Sequence, residues 1–489
     1  MRILFVVKQT GILRHFEEVI LSLARRGHRV RVASPVDDPV SLSDTFGGVA
    51  RISDTVCPSE RSDQWGDVIG VLRSSRSYAR YWNPLFKEAP KLRMRAFRKF
   101  APELSADGIT HLKAQCPKCH GTLRNEELSD IVRSIGQAQS SRLYRFAQLV
   151  EASVPSDPAI EAFLRRERPD LVVVTPLVNH QSFQPDYVKS AQVLNIPTVA
   201  PIFSWDNLTN KGLMHVIPDF ILVWNEIQRR EAIELHDVPA DRIEITGAPR
   251  FDPFQRMVPT FNRYAFCEAK GFDPEKPILA YLGSSKFIAP DEIRFVKRWL
   301  ETLRGCSDSN LSSASIILRP HPRQGKEWLA ADWSRWKRVA VSVSDYQNAD
   351  QELFNCLYHS AAAVEVNTSA AIEAALTGTP VFTVLDDEFR DGQVGTVHFH
   401  YLLEGNGGCI RVAGSLDSHV QQLVALLAGN PEATRDRTAD FVARFVKGGL
   451  VSELPTQRMV RALEVAGGSW FERCFRRLRR RCRVSNVMH

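Results

Sequence analysis

The chain has 489 residues, 44% of them hydrophobic and 24% charged, and a formal net charge of +7. That length exceeds what one core organises, so two domains are expected, and the composition excludes global disorder. The mild positive charge does not call for nucleic acid, and the nine cysteines are scattered rather than spaced as a disulfide framework, which suits a reducing cytosol.

The first elements read strand, loop, helix, strand. Arg2 to Val7 is a continuous apolar run, as a strand covered on both faces requires. It is too short for the apolar core of a signal peptide, and no stretch reaches the roughly 18–20 apolar residues of a membrane span. Lys8 to Leu13 is a loop containing Gly11, and Phe16, Val19, Ile20 and Leu23 recur at helical spacing. Gly27-His28 stops that helix before a strand at Arg29 to Ala33, which makes a βαβ unit and a parallel sheet.

Thr55 to Pro158 interrupts this rhythm as a polar, basic insertion, helical in pieces. Between Arg73 and Lys99 nine lysines and arginines face one acid, Glu88. Within it, Cys116-Pro-Lys-Cys119-His120 looks like a metal signature. Zinc needs four ligands, and only His111 stands nearby to complete them; no second Cys-x-x-Cys occurs, so ordinary loop cysteines are the expectation.

The α/β rhythm resumes with strands at Leu171 to Thr175, Phe220 to Trp224 and Arg242 to Thr246, and another entered from Gln192 to Ala200. The first domain is taken as residues 1–252 with the insertion at about 55–158, followed by a linker at 253–276. A second α/β series occupies 277–450, with strands at Pro277 to Leu282, Ser315 to Arg319, Ala361 to Val366 and Pro380 to Val384. Residues 451–489 form a C-terminal helix and basic tail. The expected fold class is α/β, with two Rossmann-like domains in series.

Ligands of open parallel sheets bind beyond the carboxyl ends of the strands. Four polar loops stand there in the second half: Gly283-Ser284-Ser285-Lys286, Arg319 to Arg323, Asn367-Thr368-Ser369 and Asp386 to Arg390. Thr368 and Ser369 start a helix, whose N–H groups and hydroxyls suit a phosphate, and Glu373 one turn on suits ribose hydroxyls. The plain alternative is a capped helix with a solvated Glu373. Arg319, His321 and Arg323 bring three cationic or protonatable groups to one strand end, enough to balance a diphosphate; alone they read equally as a basic surface loop.

The order Gly-Ser-Ser, then His321-Pro322, then Asn367-Thr-Ser-Ala-Ala-Ile-Glu-Ala374, then Gly378-Thr-Pro-Val381 resembles the donor half of GT-B glycosyltransferases. More narrowly, His-Pro followed by Thr-Ser resembles bacterial capsule and surface-polysaccharide transferases, among them sialyl- and Kdo-transferases and CDP-glycerol glycerophosphotransferases. The resemblance spans about Met1 to Ser34 and Leu171 to Val384. It implies two domains with a nucleotide-activated sugar in the cleft between them, phosphates near His321, Thr368 and Ser369, and no cofactor. It extends to nucleotide-sugar epimerases of the same fold.

Transfer needs a base for the acceptor proton or electrostatic help for the leaving diphosphate. His15, placed like the residue at the first βα turn of GT-B enzymes, and Asp206 in Ser204-Trp-Asp-Asn-Leu-Thr209 are the two candidates. No Asp-x-Asp stands at a strand end, so no metal is expected. Trp470 to Val484 places aromatic groups among seven arginines, a pattern that suits an anionic membrane surface as well as a solvated tail. The expectation is therefore a cytoplasmic glycosyltransferase, peripheral on the inner membrane face, acting on a surface-glycan or lipid-linked acceptor. An epimerase, a CDP-glycerol-type transferase and a non-catalytic scaffold are the alternatives.

Overall fold

The computed structural model describes residues 1–36, 46, 48–100, 137–343, 348–429, 438–449 and 452–468. The chain divides into two compact units. One comprises Met1–Arg250 with the chain from Lys447 onward, and the other Phe251–Val446, so residues 253–276 belong to the second unit.

The first unit is built on β1 (Arg2–Val7), β2 (Arg29–Ser34), β3 (Ile52–Val56), β4 (Leu171–Thr175), β5 (Thr198–Pro201), β6 (Phe220–Val223) and β7 (Ile243–Ile245). Their order is β3-β2-β1-β4-β5-β6-β7, and every pairing is parallel. Alternation sends Ile3, Phe5 and Val7 into one buried cluster and Leu4 and Val6 into another, which is why the run is apolar throughout. Helix α1 (Glu17–Arg25) covers one face through Val19, Ile20 and Leu23.

The insertion supplies α2 (Gly66–Arg80), α3 (Pro90–Phe100) and α4 (Gln137–Ser153). Three of its basic residues are not solvated, although Lys87, Arg98 and Lys99 are exposed. Arg73, Arg76 and Arg80 are 8%, 3% and 5% exposed. Arg73 bonds Glu151 at 2.6 Å and Asp186 of α5 (Gln184–Val193) at 2.7 Å, and Arg76 bonds Glu151 at 2.9 Å. Arg61 joins Asp186 at 2.7 Å. The carboxylate partners lie 75 to 125 residues away in sequence, so local charge counting shows a surplus where the fold makes pairs.

The second unit holds β8 (Ile278–Leu282), β9 (Ser315–Arg319), β10 (Val339–Val341), β11 (Ala362–Glu365), β12 (Val381–Val384) and β13 (Ile410–Ala413), ordered β10-β9-β8-β11-β12-β13. All pairings are again parallel. Helix α6 (Glu292–Gly305) buries Phe295, Val296, Trp299 and Leu300, and α7 (Ala370–Thr377) ends at Gly378, whose φ of 74° is the left-handed conformation glycine adopts without cost. Helix α8 (Pro455–Gly467) returns to the first unit, where Met459 and Leu463 join the α1 cluster and Glu464 meets Arg26 at 3.0 Å and His28 at 2.9 Å.

Three strands had no counterpart in the sequence reading: β3, β10 and β13. All three lie at sheet edges. An edge strand has one ladder and needs no continuous apolar run; β3 exposes Ser53, Asp54 and Val56. Gln192 and Val193 close α5, and the strand they were expected to enter begins at Thr198. The candidate zinc ligands His111, Cys116, Cys119 and His120 and the basic tail 470–484 lie outside the described residues. Among the described residues no cluster suited to a metal occurs, and no helix is long and apolar enough to cross a membrane.

Candidate functional site

In both sheets the chain order reverses at one point: between β1 and β4 in the first, between β8 and β11 in the second. Ligand crevices of open α/β sheets form at such points, beyond the strand carboxyl ends.

At the second switch point the four sequence-predicted loops are tied to one another. The Gly283 N–H donates to the Arg319 carbonyl at 2.8 Å. A Cβ at Gly283 would stand 3.0 Å from the His321 nitrogen, so glycine is what lets the two loops approach. Ser284 is fully buried; its hydroxyl accepts the Asn367 N–H at 3.2 Å, which joins the β8 loop to the β11 loop. Asn367 in turn donates to the Gly392 carbonyl at 2.7 Å. Gln393, also buried, donates to the Val366 and Val384 carbonyls at 3.2 and 2.9 Å and accepts the Asp386 N–H.

The predicted polar groups divide by role. Ser284 and Asn367 are spent on the scaffold. Arg319 donates to the Ala349 carbonyl at 2.9 Å and lies 3.6 Å from Glu352. His321 caps the turn Pro322–Gln324, its Nδ1 accepting the Arg323 N–H at 3.3 Å, which puts the proton of a neutral ring on Nε2. Ser285 is half-buried and Arg323 exposed. Thr368 is half-buried; Ser369, the exposed residue before α7, makes no side-chain capping bond. Glu373 is buried on α7, 3% exposed.

Two residues absent from the sequence reading underlie this edge. Glu292 of α6 accepts the Ser284 N–H at 2.8 and 2.9 Å and the Tyr281 hydroxyl at 3.1 Å. Glu365, at the end of β11, accepts the Thr368 N–H at 2.6 Å through Oε2, while its buried Oε1 has no hydrogen-bond partner. Burial, opposed only in part by these N–H bonds, pushes each carboxyl up to about 8. The nearness of Glu292 adds to the rise at Glu365. Burial and Glu365 likewise raise the Cys409 thiol. A charged residue inside the apolar run Ala362 to Val366 was the available signal for Glu365. Glu292 resembles any acid in a helix first turn and gave none.

In the first unit, His15 ends the turn Thr10–His15 after β1 and packs on Phe203, ring centroids 4.8 Å apart. Its Nδ1 is buried without a partner. Burial first, then Arg250 and Arg14, holds its pKa well below the ordinary value, so the ring is neutral at pH 7. Asp206 is engaged by its own turn: it accepts Ser204 at 2.7 Å and Asn210 at 3.2 Å, and lies 3.7 Å from Lys211. A separate cavity of about 760 Å³, lined by Gln148, Lys189, Asn195, Asp219 and Arg242 among others, opens at the amino ends of β5 to β7. That is the wrong edge for the chemistry of an open parallel sheet.

No protein-family model matches the chain, and no curated protein does. Solved structures do. The S. aureus MnaA-UDP co-structure is 10% identical at a TM-score of 0.52, over 95% of this chain and 96% of that one. A glycosyltransferase from Rickettsia africae ESF-5 is 11% identical at 0.51, over 95% and 98%. The UDP-GlcNAc 2-epimerase from Neisseria meningitidis bound to UDP-GlcNAc is 12% identical at 0.50, over 95% and 99%. At these identities the likeness is one of fold, and the chain has the two-unit parallel α/β layout of GT-B enzymes.

Proposed function

We propose that the protein is a glycosyltransferase that takes a sugar, or a related group, from a nucleotide-activated donor to a surface-glycan or lipid-linked acceptor. The observation that carries this reading is the knitting of the Gly283, His321 and Thr368 loops at the second switch point. Backbone rigidity there presents the His321 ring, Thr368 and the exposed Ser369 at the start of α7, where partial positive charge favours phosphate oxygens. Glu292 and Glu365 support the loops from below. Carboxyls with values of about 8 are mostly protonated at pH 7, so they hold the loop N–H groups without repelling a phosphate.

In this reading His15 is the base of the first unit, because its neutral ring keeps a lone pair available, whereas Asp206 is saturated by its turn and orients Lys211. The phosphates are balanced by protein groups, without a metal or cofactor, so chelators should leave turnover unchanged.

The test is a panel of UDP-, GDP-, dTDP- and CMP-sugars and CDP-glycerol, with UDP-sugars first because two of the structural neighbours carry UDP or UDP-GlcNAc. Nucleotide release that requires an added acceptor is the expected result. Conversion of UDP-GlcNAc into its 2-epimer without an acceptor would replace this reading with an epimerase, and failure of every nucleotide to raise the melting temperature would remove the site.

A further inference from the structure

The first sheet has a switch point too, and its chemistry is cationic. Lys8 follows β1 directly. Its Nζ donates to the carbonyls of His180 at 3.0 Å and Gln181 at 3.3 Å, in the loop that follows β4. Helix α3 of the insertion brings Lys99 to the same place, its Nζ 3.4 Å from the Gln181 side-chain oxygen. Arg95 of that helix reaches the Asn210 side chain at 2.8 Å, after β5. Among the described residues neither Lys8 nor Lys99 has a carboxylate partner. Two ammonium groups close enough to perturb one another, held by neutral carbonyls alone, is an arrangement that a bound anion stabilises.

The surroundings agree. Burial first, then Arg95, Arg80, Lys99 and Lys211, pushes His180 down to about 3. Burial and then Lys99 lower Lys8 as well. His180 Nε2 is buried without a hydrogen-bond partner. Elsewhere in this unit Arg73 and Arg76 of the insertion are matched with Glu151, whereas Lys8 and Lys99 meet only the oxygens of neutral groups.

We propose that Lys8 and Lys99 form an oxyanion site at the first switch point that binds a phosphate or diphosphate group on the acceptor. This rests on the transferase reading, since an enzyme with no second substrate has no use for a second anion site. Each lysine offers a charged donor to a phosphate oxygen, and Arg95 closes the side towards β5. The same chemistry serves a sugar phosphate in solution or a lipid-linked diphosphate.

The experiment uses the full chain. Inorganic pyrophosphate is titrated by calorimetry into wild type, Lys99→Met and Lys8→Arg, with UDP present at saturation so that the second unit is occupied. Wild type should bind, Lys99→Met should bind about tenfold more weakly, the order of one charge-assisted contact, and Lys8→Arg should retain binding. Lys99 is exposed, so its variant folds. Nucleotide-induced stabilisation should be the same in all three, which separates failure here from failure of the nucleotide site. No binding by wild type, or equal affinity in Lys99→Met, overturns the proposal. Parallel titrations with a sugar 1-phosphate and a short prenyl diphosphate in detergent identify the source: the ligand whose tight binding is lost in Lys99→Met is the acceptor chemistry, and loss with neither overturns the assignment to an acceptor.

Discussion

The two sheets share the same kind of strand order, with one switch point each, yet carry different chemistry at their carboxyl edges. The first gathers Lys8 and Lys99 beside a half-buried, neutral His180. The second has two buried carboxyls, Glu292 and Glu365, beneath a rim of backbone N–H groups and hydroxyls. Topology decides where a ligand edge lies; the side chains delivered there decide what it holds. The acids of the second edge belong to its own strand and the helix after β8, whereas the cations of the first come partly from an insertion pinned from a distance by ion pairs.

That pinning is the comparison's most breakable point. Arg73→Ala leaves Glu151 and Asp186 short of a buried partner and should cost on the order of 3–5 kcal/mol, read by urea unfolding, with hydrogen exchange placing the loss in the first unit. Equal loss across the second unit would mean that the two edges are not independently supported. At the second edge the stability should depend on pH. Because the folded values of Glu292 and Glu365 stand near 8, above the ordinary 4.5, the native chain holds protons that the unfolded chain releases between these values. Stability is therefore full below pH 4.5 and declines up to pH 8. Glu365→Gln should flatten that slope and exceed wild type by on the order of 3 kcal/mol at pH 8; parallel thermal melts from pH 5 to 9 decide it.

Smaller effects separate ligand contact from scaffold. His321→Ala should weaken nucleotide binding about tenfold, roughly 1.4 kcal/mol, and leave the ligand-free melting temperature close to wild type; unchanged affinity in calorimetry would take His321 out of the site. Ser369 is exposed and makes no side-chain cap. Ser369→Ala should therefore alter stability by less than about 0.5 kcal/mol while reducing nucleotide affinity a few-fold. The opposite pattern would make it a structural cap.

Much of the architecture was legible in the chain itself. The runs Arg2 to Val7, Leu171 to Thr175 and Ser315 to Arg319 are strands at those bounds, because a strand buried on both faces must be apolar at consecutive positions. The order of the strand-end loops in the second half was legible for the same reason, since each loop is marked by the strand it terminates. The edge strands β3, β10 and β13 were not, having only one ladder and partly solvated faces.

What the tertiary structure alone decided is the environment of the charges. Arg73, which reads as surface charge, is buried against acids that lie up to 113 residues away. Glu292, which reads as a helix-terminus acid, is enclosed beneath Ser284. Ser284 and Asn367, candidates for ligand contact, hold two loops together. Helix α8 finds its apolar partner in α1, more than 400 residues earlier. Hydrophobic periodicity is a local property and survives in one dimension. Whether a charge is desolvated depends on atoms that only folding brings near it, and with that go its pKa, its pairing and its use.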